Sequence, residues 1–141
     1  MPERIPERLR QFVADRAQHR CEYCLLHEDD SYTPHQIDHI VSRKHGGSSD
    51  PPNLAFACIR CNLWKGTDTG SLDAHEHLFV PLFHPRRESW TDHFAIRGLL
   101  IEPLTETGAV TIRLLKLNHE HRIAERESLP AWRNTPYEST T

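Results

Sequence analysis

Four cysteines divide the chain into two Cys-x-x-Cys pairs, Cys21/Cys24 and Cys58/Cys61, with 33 residues between the pairs. Two such pairs supply the four soft ligands of a closed tetrahedral zinc site. The spacer is longer than the usual zinc-ribbon interval, so a sizeable element is inserted between the knuckles. A zinc ion there clamps the start of that element to its end. With no open coordination position, such an ion is structural rather than catalytic. The bland alternative is four reduced cysteines without metal.

At 141 residues the chain is one domain's worth, and short enough for a metal staple to matter. The expected organisation is one α+β domain over 1–141, with an N-terminal helix at 6–18, a core at 19–69 and an extension at 70–141. The opening MPERIPERLR places charges where a signal peptide needs its apolar region, and no apolar run approaches membrane-spanning length. The expectation is a cytoplasmic protein with no membrane association. A secreted disulfide-linked domain fits the pairing less well.

Taken in order, Leu9, Phe12, Val13 and Ala17 form a helical stripe, with Pro6 suited to the first turn. The arginines on the other sides are read either as a solvated face or as a track for phosphates. Residues 25–34 read as an acidic loop, and Gln36 to Ser42 as a β-prone segment around Asp38-His39. The run from His45 to Pro52 is a long glycine- and proline-marked reversal, after which Asn53 to Ala57 returns as a second strand. Asn62 to Lys65 starts a short helix that Gly66 ends. Farther on, Leu78 to Phe83 suggests an edge strand, Phe94 to Leu104 two β-like runs, and Thr105 to Gly108 a turn. Thr111 and Asn118 are candidate caps of two short helices, and the tail from Pro130 reads as frayed.

With Cys21-Glu22-Tyr23-Cys24, Asp38-His39-Ile40, Gly46-Gly47, Asn53-Leu54, Cys58-Ile59-Arg60-Cys61-Asn62 and Lys65-Gly66 in this order, the chain resembles HNH endonucleases of the ββα-metal class in their zinc-knuckle form. The segment from Leu82 to Arg86, with Trp90, His93-Phe94 and Leu117-Asn118, is similar to the C-terminal extension of small stand-alone bacterial members. His84 stands where asparagine is expected there.

The resemblance implies hydrolysis of DNA phosphodiester bonds, with 5′-phosphate and 3′-hydroxyl products. His39 suits the general base, since its ordinary pKa lies near neutrality. Asp38 and Asn62 offer the hard oxygens that Mg2+ or Mn2+ requires, and by resemblance they flank one ion. Asn62 is also suited to capping the helix, which does not exclude ligation. Asn53 resembles the motif's central asparagine, expected to tie down the reversal. Adjacent residues on a regular strand face opposite ways, so catalysis from Asp38 and His39 predicts an end, twist or bulge at Asp38 to Ile40.

The formal charge of −3 is no advertisement for a polyanion surface, so DNA contacts must be concentrated locally. Arg43, Lys44, Arg60 and Lys65 are the candidate contacts, while Trp64 is read as a core residue. The rival from another class is a non-catalytic zinc module that binds nucleic acid or a protein partner.

Overall fold

The computed structural model describes residues 4–75, 77–129 and 132 of the chain. The expected fraying of the tail lies outside the described residues, except for Trp132.

Helix α1 (Glu7–Arg16) starts behind Pro6, whose fixed φ of −60° leads into the first turn. Its inward stripe is Leu9, Val13, Ala14 and Ala17, packed on Leu54, Phe56 and Ile37. Phe12 does not belong to that stripe: it is half exposed, with the Arg16 guanidinium 5.2 Å from its ring centre. The helix stops where Gln18 and His19 take left-handed backbone angles.

The central hairpin pairs β1 (Gln36–His39) with β2 (Leu54–Ala57) in antiparallel register, Asp38 opposite Ala55 and His39 opposite Leu54. Its two faces differ in cargo. Ile37 packs with Leu54 and Phe56 under α1, whereas Ala55 and Ala57 belong to the main core with the cysteines. Helix α2 (Ile59–Lys65) follows directly, starting three residues earlier than the sequence indicates, because the Cys58 sulfur accepts from Cys61 N and caps it.

Residues after 69 wrap this unit with two further hairpins, β3 (Gly70–Leu72) with β4 (Phe79–Pro81) and β5 (Phe94–Arg97) with β6 (Leu100–Pro103). Between them lies the one-turn helix α3 (Trp90–His93), and beyond them come α4 (Glu106–Leu115) and α5 (Glu120–Glu127). The result is α+β. Leu82, Phe83, Trp90, Phe94, Ile101, Val110 and Leu115 share one buried cluster with the four cysteines and Tyr23, so the extension is packed onto the metal-binding core. The Trp90 indole donates to Tyr23 O at 3.0 Å from within that cluster.

Four local expectations need correction. Thr105 to Gly108 is the first turn of α4 rather than a free turn: the Thr105 hydroxyl accepts from Gly108 N at 3.0 Å. Thr111 is therefore inside the helix, fully buried, accepting from Phe83 N at 2.9 Å and donating to Thr107 O at 2.7 Å. Asn118 caps nothing. Its amide exchanges two hydrogen bonds with the Ile101 backbone, while His119 caps α5. Finally, Trp64 lies outside the core, 43% exposed, with Lys116 Nζ 3.8 Å from its ring centre.

No helix among the described residues is long and apolar enough to cross a membrane.

Candidate metal centre and catalytic residues

The ligand sulfurs of Cys21, Cys24, Cys58 and Cys61 all lie within 4.8 Å of one another, buried and unbridged by disulfides. Cys24 Sγ and Cys58 Sγ are 3.6 Å apart. Zinc–sulfur bonds of about 2.3 Å in a tetrahedron space their sulfurs by about 3.8 Å, so the donor set fits zinc in both chemistry and size. Each knuckle is held by an amide aimed at a sulfur, Cys24 N to Cys21 Sγ and Cys61 N to Cys58 Sγ, both at 3.4 Å.

A residue that sequence reasoning missed stands against this cluster. Arg122, on α5, brings Nη2 to 3.1 Å from Cys61 Sγ and 3.7 Å from Cys58 Sγ. Burial works against its charge, but the sulfurs of Cys61, Cys24 and Cys58 outweigh it and hold the guanidinium's pKa above the ordinary value. Nothing in the sequence around Glu120 to Glu127 signals this, because the contact spans 61 positions.

The irregularity expected at Asp38 to Ile40 takes the form of a strand end rather than a bulge. The ladder runs regularly through Asp38 and His39, so no bulge interrupts it and the two side chains keep opposite faces. The strand ends at His39. Beyond it, Ile40 N donates to Asn53 O at 2.8 Å and Val41 N to Asn53 Oδ1 at 2.9 Å, so the Asn53 side chain takes the place of the next ladder residue. Asn53 Nδ2 donates back to Val41 O at 2.9 Å and on to Ser48 O at 2.7 Å. These bonds tie the reversal to the end of β1.

Asp38 is 3% exposed. Its Oδ2 accepts from the Tyr23 hydroxyl at 2.7 Å and its Oδ1 lies 3.2 Å from Lys65 Nζ. Burial pushes the Asp38 carboxyl above the usual carboxylate range, and Lys65 and Tyr23 pull in the other direction. Burial first, and Asp38 second, hold the Tyr23 hydroxyl protonated and thus a donor. Lys65 completes its three bonds on His39 O at 3.1 Å and Ile40 O at 3.0 Å. It is a buried tie between α2 and the end of β1, not a surface cation, and leaves the set of DNA contacts.

Asn62 sits on α2 with its Nδ2 donating to Gln36 Oε1 at 2.5 Å, from the same strand and face as Asp38. It does not cap α2, since Cys58 does. A hard divalent ion shared by Asp38 and Asn62 would have to open this arrangement, since each Asp38 oxygen already takes a hydrogen bond in a site 3% exposed.

On the other face, His39 Nε2 is 3.0 Å from Ser49 Oγ, and Arg43 Nη1 donates to that same oxygen at 3.0 Å. Arg43 and Lys44 are exposed on the short turn at Arg43–His45. Arg60 is partly exposed, 3.3 Å from Glu125 Oε2.

The family model for HNH endonuclease matches residues 21–68. That span runs from the first cysteine past Lys65, and encloses both knuckles, the hairpin and α2. No curated protein and no solved structure matches the chain.

Proposed function

Taking residues 21–68 as the HNH endonuclease domain that they match, we propose that the chain is an endonuclease hydrolysing DNA phosphodiester bonds with His39 as general base. The observation that carries the reading is the coincidence of the family match with a hairpin, Asn53 lock and helix that hold His39 at the strand's free end beside Ser49 and Arg43. His39 takes a proton from a water that attacks phosphorus. The bond from phosphorus to the 3′ oxygen breaks, leaving a 5′-phosphate and a 3′-hydroxyl once the departing oxygen regains a proton. Arg43 and Lys44 supply positive charge where the phosphate approaches. The four cysteines hold zinc as a frame, in a compartment reducing enough to keep them as thiolates, such as the cytoplasm.

The Mg2+ or Mn2+ dependence implied by the resemblance is the part that Asp38 opposes. An ion bound there would have to share the buried Oδ1 with the Lys65 ammonium.

The second reading, a zinc module that binds nucleic acid or a protein without cutting, is favoured by the same two facts: sealed Asp38 and unbroken alternation at Asp38-His39. Plasmid nicking with zinc-loaded protein across a Mg2+, Mn2+ and metal-free series separates the two. Nicking by wild type, lost in a folded His39→Ala variant, supports the nuclease. DNA binding without nicking under every condition supports the module.

A further inference from the structure

Helix α5 reaches the zinc ligands from outside the family-matched segment. Arg122 and Arg126, one turn apart, both point inward and are 5% exposed. Arg122 places Nη2 against the sulfurs of Cys61 and Cys58, while its Nη1 donates to Leu115 O at 2.9 Å. Arg126 donates to Leu99 O at 3.0 Å and to Leu117 O, and its guanidinium lies 4.7 Å from the Trp132 ring centre. On the outer side of the same helix Glu125 pairs with Arg60, the residue before Cys61.

A zinc ion held by four thiolates carries two net negative charges. Buried charge needs a partner, and a guanidinium fork can meet two sulfurs and a carbonyl together.

We infer that Arg122 is the outer-sphere counterion of the zinc centre, and that α5 docks more tightly on the core when zinc is bound. The inference rests on the zinc reading of the four cysteines. It makes Arg122 a positioning residue: it touches ligand sulfurs and no substrate. It also gives the extension a metal-dependent attachment. Loss of zinc loosens α5 at Arg122, whereas α1 stays on its separate cluster with Leu54 and Phe56.

Hydrogen exchange of the full chain, zinc-loaded and after chelation, reads this without any substitution. The expected result is loss of protection over residues 120–127 on zinc removal, with residues 7–16 protected in both states. In parallel, folded Arg122→Met is expected to release zinc to a chromogenic chelator about 10–100-fold faster than wild type, with Arg122→Lys between them. Cobalt-substituted Arg122→Lys is expected to shift the thiolate-to-metal absorption bands, which a purely structural contact leaves in place. Equal protection of α5 with and without zinc overturns the inference, as does zinc release within about twofold of wild type in folded Arg122→Met. Zinc content is measured first: a wild-type chain that binds none overturns the zinc reading as well, whereas bound zinc with unchanged α5 protection overturns the role of α5 alone. If Arg122→Met does not fold, the wild-type exchange comparison decides.

Discussion

Lys65 Nζ lies 3.2 Å from Asp38 Oδ1, and both side chains are almost fully shielded from solvent, which makes the acid of the Asp-His pair a structural tie across β1 and α2. A buried pair broken on one side leaves an uncompensated charge, at a penalty of about 3–5 kcal/mol. Lys65→Met and Asp38→Asn are each expected to lower stability toward that range, Asp38→Asn less because its amide keeps an oxygen for Tyr23. The double variant is expected to lose clearly less than the sum of the two, since it leaves no charge behind. Urea unfolding of zinc-loaded proteins measures the coupling, and strict additivity would show that the pair is not one unit.

The Asn53 amide carries three hydrogen bonds that close the loop before β2, two with Val41 and one with Ser48. At about 1 kcal/mol each, Asn53→Ala is expected to lose about 2–3 kcal/mol. Gly47 packs under the same bonds. A Cβ there would lie 1.7 Å from Val41 O, a backbone atom that cannot swing aside, so Gly47→Ala must displace the loop. Both variants are expected to keep full zinc content, because the cysteines lie elsewhere, and to lose loop protection in hydrogen exchange. Zinc loss alongside the stability loss would instead tie the loop to the metal frame.

What the sequence made legible is what neighbours in the chain decide. The cysteine spacing located the four-cysteine cluster, β-branched residues flanking Asp38-His39 located β1, and the glycine- and proline-marked run from His45 to Pro52 located the reversal. Partners distant in sequence were not legible. Lys65 looks like any surface lysine until the fold sets it on Asp38, His39 O and Ile40 O. Thr105 to Gly108 has turn composition, yet Gly108 sits so close to the chain that an added Cβ would lie 2.2 Å from His93 O. That packing belongs to a helix seated on β6, and no local pattern announces it.

Thr111 shows the same point in energetic form. Its hydroxyl is the partner of Phe83 N inside the core, at 2.9 Å. Thr111→Val keeps the shape but leaves that N–H buried without an acceptor, a loss of about 1–3 kcal/mol. Thr111→Ser is expected to recover most of it despite the lost methyl group. Thermal unfolding of the two variants measures the difference, and equal destabilisation by Val and Ser would assign the effect to packing instead.

His84, where the resemblance leads one to expect asparagine, holds its ring in one protonation state. Nδ1 accepts from Arg86 N at 3.2 Å and Arg87 N at 3.3 Å, so it must stay unprotonated. Burial lowers the His84 pKa from 6.5, and Arg87 adds to the effect while Glu88 opposes it. The native state therefore binds fewer protons than the unfolded chain in the window just below pH 6.5. The His84 contribution is full above that pH and is lost as the pH falls toward the lower native value. Asparagine supplies an acceptor for the same two amides and does not titrate. His84→Asn is thus expected to gain on wild type as acidity rises. Urea midpoints of the two proteins at pH 7.5 and pH 5.5 test it: the difference must move in favour of the His84→Asn variant at the lower pH, and a constant difference would show that His84 does not couple folding to protons.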